Sequence, residues 1–456
     1  MTTANLVSSL PLPAIYYDHR RQVYWCADTK QEWIMITETA AKRILKSHGF
    51  VGGNSAEELS PLDQAVLDIQ LKQNIAYAGS LAGFRKGLVE MNGSNILVTT
   101  SPRLIPPKPG GWPILGKMLE NMLNDELGDQ RPYFYGWLKI ALEALQQSAI
   151  RPGQALCFAG EAESGKSLLQ ALITEMLGGR AAKPYQFMTG ATSFNSEVFE
   201  AEHLMIEDEQ ASTDIRARRA FGAQLKQVTA SRDQRCHAKN RTGLVLTPFW
   251  RLTISVNDEP ENLMVLPPID PSIEDKIMLL KVHKHPMPMP TGGIAERETF
   301  WKTILAELPA FMDFVLNWQI PPDMQSSRYG ILHYHHPEIL AALDELAPEL
   351  RLLALYDQEN VNSSGNISKF EGTAVQLEQA LLSQESSVRV QAQHLFTFNT
   401  ACGVYLGRLR KKANPRVDCK TVNGRTEWTI SPPCYQGSNS TQNEPDLAVS
   451  PNSGGV

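Results

Sequence analysis

The sequence is short of cysteines, and none is spaced to hold a metal. Six are scattered along it (Cys26, Cys157, Cys236, Cys402, Cys419 and Cys434), and no two form a C-x-x-C pair. That argues against a disulfide framework or a zinc ribbon, and for a reducing, cytoplasmic compartment. No apolar run approaches the ~20 residues that a membrane helix needs, so no membrane partner is expected. Residues 1–15 lack a basic start and a long apolar stretch, so no secretory leader is expected either. A positive balance is also missing. The net charge of −6 speaks against a protein that coats nucleic acid over its whole surface. No Asp-x-Asp metal pair stands in the first 130 residues, which leaves no basis for a polymerase-type primase there.

What is present is an ordinary globular composition, with 42% hydrophobic and 20% charged residues in 456. That length predicts two to four domains. Two stretches run against the acidic balance. Residues 216–241 hold eight Lys or Arg against Asp233, and residues 408–425 hold seven against Asp418. Such runs are either solvated faces or local nucleic-acid contacts.

Along the chain, residues 14–36 alternate apolar and polar and predict a small antiparallel unit turning near His19-Arg20. Thr37 predicts the cap of a helix to Ser47, and residues 61–75 a second helix. Residues 76–113 are Gly- and Pro-rich around a strand at Asn95–Thr100, with the cluster 106–112 reading as a linker or irregular cover. From residue 131 helices alternate with short strands at 155–159, 185–188, 204–207, 252–256 and 277–282. That alternation predicts an α/β core with a parallel sheet. Residues 296–356 read as helical throughout. Helices at 373–383 and 398–412 precede a hairpin turning at Asn423-Gly424. The Ser-, Asn-, Gln- and Gly-rich tail 434–456 reads as disordered.

The chemistry concentrates after residue 155. Gly160, Glu161, Ala162, Glu163, Ser164, Gly165, Lys166 and Ser167 make a complete G-x-x-x-x-G-K-S loop between a predicted strand and a predicted helix. Glycines let backbone N–H groups converge on phosphates, and the helix start adds its positive dipole end. Lys166 is the residue to reach the β- and γ-phosphates, and Ser167 offers a hydroxyl to Mg²⁺. ATP and Mg²⁺ are therefore the expected ligands. About 40 residues on, Leu204-Met-Ile leads into Glu207, Asp208 and Glu209. One acid would hold the metal and its neighbour would polarise the attacking water. Glu207–Asp208 and Asp208–Glu209 both remain open as the working pair. Asp208 belongs to both and is the metal candidate. A third strand, Arg251–Val256, ends in Asn257, a carboxamide suited to orient water or touch the γ-phosphate.

This order of loop, acidic strand end, basic segment and Asn-ended strand resembles the superfamily 3 helicases. The run from Leu266 to Ile277 is similar to their phage and plasmid primase-helicase branch, as are Tyr77–Phe84, Ile96–Thr99 and His335–Glu338, less specifically. The resemblance covers roughly 70–433. It implies an AAA+-like core, a hexameric ring with ATP between subunits, and a hairpin in the segment 224–251 that grips DNA. Lys239 and Arg241 are its candidate phosphate contacts. It also implies an arginine finger after the Asn-ended strand, but no Arg stands between Arg251 and Arg297. Lys276 occupies the expected place. Arg251, Arg151 and the arginines within 216–219 are alternatives. A Lys cannot fork onto two phosphate oxygens as an Arg can.

These readings divide the chain into an accessory or docking region (1–130), an ATPase core (131–290), a helical region (291–365), a winged-helix domain (366–433) and the tail (434–456). The basic helix end of the winged helix would set Lys411 and Lys412 on duplex or origin DNA. The expected activity is ATP-driven movement on single-stranded DNA, with a primase or replication protein as a further partner. The alternative is an ATP switch on nucleic acid, such as an origin loader or a mobile-element or defence regulator, that does not unwind. A nucleotide kinase fits the loop but leaves Asn257 and the basic segment without a role.

His333, His335 and His336 crowd together before a predicted helix start and read as structural. Trp25, Trp33 and Trp112 read as packing residues.

Overall fold

A computed structural model describes residues 13–53, 58–207, 215–238, 243–267, 269–345, 347–361, 367–422 and 424–432. The chain divides into two compact units, residues 1–344 and 345–456.

The larger unit is built on a five-stranded sheet. Its strands, in spatial order, are Ala181–Ala182, His203–Glu207, Arg251–Val256, Ala155–Ala159 and Ile277–Lys281. All neighbours run parallel. The phosphate-loop strand Ala155–Ala159 is buried along its whole length, as expected for a central parallel strand. Leu156 and Phe158 share one apolar cluster with Met278 and Leu280 and with the helices Pro113–Leu123, Arg131–Gln146 and Ile294–Asn317. Burying a side chain such as Phe158 stabilises the fold by about 1.5–3 kcal/mol. In the helix Arg131–Gln146, residues Phe134, Leu138, Ala141, Leu142 and Leu145 form the buried stripe that helical spacing requires.

Before the core come a small sheet, Trp33–Ile36, Val23–Ala27, Ile15–Asp18 and Asn74–Ile75, and a second of Tyr77–Gly79, Ser94–Val98 and Gly87–Met91. Thr37 caps the helix Glu38–Ser47 by accepting from the Ala40 N–H at 3.3 Å.

Two expectations need correction, and one helix has no counterpart in the sequence reading. Residues 185–188 form a short helix rather than a strand. Pro184 sits at its start with φ near the helical value, and Tyr185 packs on Phe221 with ring centres 5.8 Å apart. Residues 296–356 are not helical throughout. Ile294–Asn317 is separated from Pro337–Glu345 by a stretch holding Pro321 and the short 3-10 helix Pro322–Met324, and Pro348–Asn360 follows as a third helix. The Pro-rich stretch after residue 105 opens into the helix Pro113–Leu123. Its Leu115, Met118, Leu119 and Met122 are buried at helical spacing, a stripe hidden in the sequence by the prolines and glycines before it.

The second unit holds the helices Pro348–Asn360, Ala374–Leu381, Arg389–Leu395 and Ala401–Lys411, with an antiparallel sheet in the order Phe370–Gly372, Arg425–Ile430, Val417–Val422. Thr373 and Gln376 form a capping box at the start of Ala374–Leu381. Among the described residues no helix is long and apolar enough to cross a membrane.

Candidate functional site

The site is made where three neighbouring strands end on the same edge of the sheet. The register pairs Ala159 with Val256 and Glu207 with Ser255. Gly160, Asn257 and Glu207 therefore stand side by side at the carboxyl ends of their strands. Ligands of open α/β sheets bind at this edge.

Gly160 leaves the strand so close to the next one that a Cβ there would lie 2.1 Å from the Val282 carbonyl oxygen. No other residue type fits. The loop then turns back through Gly165, which takes φ 91 and caps the helix Lys166–Met176 without any side-chain hydrogen bond. The first-turn N–H groups of that helix have no intrahelical acceptors. They and the dipole make the loop an anion cradle.

Lys166 is buried. Its Nζ donates to the Gly160 carbonyl at 2.8 Å, the Glu161 carbonyl at 2.7 Å and the Asn257 Oδ1 at 3.0 Å, with Ser164 Oγ at 3.4 Å. A cavity of about 550 Å³ opens beside it, lined among others by Glu163, Gly165, Ser167, Asn257 and Asn262. Glu207 Oε2 meets Lys183 Nζ at 3.4 Å. Asp208 and Glu209 lie outside the described residues.

Behind the loop runs a polar ladder that sequence reading missed. Gln170 is fully buried and donates from Nε2 to Thr253 Oγ1 at 2.8 Å and to the Ile206 carbonyl at 3.3 Å. Thr253 Oγ1 also meets His203 Nε2 at 2.8 Å, and His203 Nδ1 meets Thr174 Oγ1 at 2.7 Å. Burial pushes the His203 imidazole down to about 3, so the ring is neutral at physiological pH. The ladder ties the helix after the loop to the acidic strand and to the Asn257 strand. Its sequence signal is Thr253, set between the apolar Leu252 and Ile254, together with Gln170 one turn after Lys166.

Lys276 precedes the strand Ile277–Lys281 and so stands at the opposite edge of the sheet from its own loop. Its side chain is 10% exposed and binds Asp275 at 2.7 Å, and Arg328 holds the other carboxylate oxygen at 2.6 Å. Arg251 cannot serve as a finger. It is 1% exposed and donates from Nη1 to the carbonyls of Trp250 and Arg151. Burial, with the charge of Arg151 nearby, pushes its guanidinium down to about 9. Arg151 itself is exposed and donates to Gln147 Oε1 at 3.3 Å. Residues 216–219 open the helix Ile215–Ala230, whose first side chains lie outside the described residues.

The basic segment contains a short antiparallel pair, Gln234–Cys236 with Leu244–Leu246. Lys239 and Arg241 fall between its strands, outside the described residues. In the second unit Lys411 is exposed. Lys412 Nζ lies 3.5 Å from Glu349, which also meets Arg408 at 3.4 Å, so part of this basic run serves a buried carboxylate of its own unit.

The three clustered histidines do not converge. His335 Nε2 meets the Ile277 carbonyl at 3.0 Å, and His333 lies 3.8 Å from Glu274. His336 turns away to Asp125. Trp112 packs against Phe311 and Phe314.

Fold and site together define a mixed α/β chain with a five-stranded parallel sheet and a G-x-x-x-x-G-K-S loop at the carboxyl end of its Ala155–Ala159 strand. Among solved structures, this architecture is similar to the apo C-terminal region of NrS-1, with a TM-score of 0.53 and 13% identity over 92% of this chain and 96% of that one. Its A form gives a TM-score of 0.50 at the same identity and coverage. The likeness is one of fold. A further match, to the active helicase Cch of SCCmec type IV, has 12% identity over 88% of this chain and 70% of that one, but its TM-score of 0.29 is too low to read a fold from. No protein-family model and no curated protein matches the sequence.

Proposed function

We propose that this chain is an ATP-hydrolysing motor of the superfamily 3 helicase type that moves on single-stranded DNA as a ring. The observation that carries the reading is the position of Lys166. Its ammonium joins the phosphate loop to Asn257, the end of a different strand, so one cation senses both the loop and the neighbouring strand. ATP would place its phosphates in the loop. Lys166 would exchange loop carbonyls for phosphate oxygens, which are stronger partners because they are charged. Asn257, no longer engaged by Lys166, would turn its carboxamide to the γ-phosphate or to the attacking water. The donors suit a hard divalent ion: the Ser167 hydroxyl lines the loop cavity, Glu207 ends the adjacent strand, and Asp208 and Glu209 follow it in sequence. Mg²⁺ bound there would neutralise charge on the transferred phosphoryl group. Asp208 is the proposed ligand, and Glu207 or Glu209 the proposed partner of the attacking water.

In the ring, Lys276 or Arg151 would face the neighbour's nucleotide. Lys239 and Arg241 would meet single-strand phosphates, and Lys411 with Lys412 would meet duplex DNA through a winged helix. Lys166→Ala is expected to lower ATP hydrolysis by on the order of 10²-fold or more. Hydrolysis within threefold of wild type would remove the central claim. Strand displacement by the wild type separates a motor from an ATP switch that binds DNA without unwinding it.

A further inference from the structure

Asp125, His283 and His336 come from three distant parts of the sequence and meet beside the phosphate loop. His283 Nε2 and His336 Nε2 both lie 2.8 Å from the same carboxylate oxygen, Oδ2 of Asp125. The three donor atoms all lie within 4.8 Å of one another. The other oxygen, Oδ1, accepts the N–H groups of Leu127 at 2.8 Å and Gly128 at 3.0 Å. Those two bonds aim Oδ2 at the imidazoles. The backbones are fixed as well. The His283 N–H donates to the Met122 carbonyl at 3.0 Å, and the His336 N–H to the Leu279 carbonyl at 2.9 Å.

We propose that Asp125, His283 and His336 form a binding site for one divalent transition-metal ion of the zinc class. Two neutral imidazoles and one carboxylate are a borderline donor set. They suit zinc, cobalt or iron and disfavour Mg²⁺, which wants oxygen alone. Three protein ligands leave a fourth position for water. His336 is fully buried, while the Asp125 and His283 side chains are 14% and 23% exposed. The cluster is thus walled on one side and open to an entering ion on the other. Among the described residues, the buried His336 Nδ1 has no partner. None of them fixes its tautomer, so Nε2 can present either a proton to Asp125 or a lone pair to an ion.

None of the three residues lines the nucleotide cavity, and the site stands independently of the ATPase reading. It would still matter to the loop. His283 follows Val282, whose carbonyl abuts Gly160, and the methyl of Met122 packs against Gly165. An ion here would stake the wall of the phosphate loop.

The test uses the full chain, stripped of metal and without nucleotide, titrated with Co²⁺. The expected result is one Co²⁺ per chain, seen as visible d–d absorption and displaced by Zn²⁺, with a rise in thermal midpoint on Zn²⁺ addition. His283→Gln and Asp125→Asn should each weaken Co²⁺ binding at least roughly tenfold while keeping a cooperative thermal transition. Should either variant fail to fold, the wild-type stoichiometry and Zn²⁺ shift decide the matter with the other. Ser167→Ala, in the nucleotide site, should bind Co²⁺ as wild type does. Substoichiometric binding by the wild type, or unchanged binding by a folded His283→Gln, overturns the proposal and leaves a hydrogen-bonded junction. So does a signal lost in Ser167→Ala but kept in His283→Gln.

Discussion

Two buried lysines stand at opposite edges of one parallel sheet, and their surroundings differ in kind. Lys276, at the amino edge, is held by the carboxylate of the residue before it, with Arg328 on the far oxygen. Lys166, at the carboxyl edge, is held by loop carbonyls and by the amide of a neighbouring strand, beside an open cavity. The first arrangement is local charge pairing, as in many structural ion pairs. The second sets neutral oxygens from two separate segments on one cation, and a phosphate would outcompete those oxygens. Burial alone does not mark a functional lysine. What it is bonded to does.

Mutations can break this contrast. Its largest expected effect is the loss of hydrolysis in Lys166→Ala, against near-normal folding and nucleotide binding in Lys276→Ala. Next, Asn257→Ala removes the acceptor that ties Lys166 to the adjacent strand. Steady-state hydrolysis should fall by about tenfold to a hundredfold, with nucleotide affinity changed by much less. An equal loss in both would make Asn257 a binding residue only.

A smaller effect tests the ladder behind Lys166. His203 has a folded value of about 3 against an ordinary 6.5. Below about pH 6.5 the unfolded chain takes up a proton that the folded ring refuses, so stability falls as pH drops from there towards 3. Between pH 6.5 and 5 the loss should be on the order of 2 kcal/mol. Denaturant unfolding of His203→Asn across that range should show a flatter pH dependence than wild type, provided both unfold in two states.

The smallest effect sharpens the role of the amino edge. Lys276→Ala should cost at most about 1 kcal/mol of stability, because Asp275 keeps Arg328 and is partly exposed. If Lys276 acts on a neighbour's nucleotide, mixing Lys276→Ala with Lys166→Ala chains should restore some hydrolysis, since mixed rings contain intact composite sites. No recovery in rings shown to be mixed would confine Lys276 to its pair with Asp275.

The loop and its neighbours were legible because their chemistry is local. Gly160 to Ser167 are contiguous, and each neighbouring strand is short and largely apolar. The strand Ala155–Ala159 and the helix that starts at Lys166 lie within a residue of where the sequence places them. Residues 185–188 were misread because Tyr and Phe favour strands while the preceding proline, not composition, set the backbone. The histidine triplet illustrates the other limit. Adjacency in sequence suggested one cluster, yet His336 pairs with an aspartate 211 positions away. Periodicity carries no information on such contacts.

Glu202 sets a limit on how this protein can be taken apart. Its carboxylate is fully buried, receives the Gly83 N–H at 2.8 Å and is bound by Arg180. Nearby, Ala82 exchanges backbone hydrogen bonds with Phe199 and Phe249, and Arg103 donates to the Gly178 carbonyl. The segment from Ala82 to Arg103 is therefore stitched to the core rather than appended to it. Shortening the chain to the phosphate-loop core would uncover a buried anion and strip backbone partners from Gly178, Phe199 and Phe249. An interchangeable module would end where such stitches are absent, so recombination between relatives should exchange this segment together with the core or not at all.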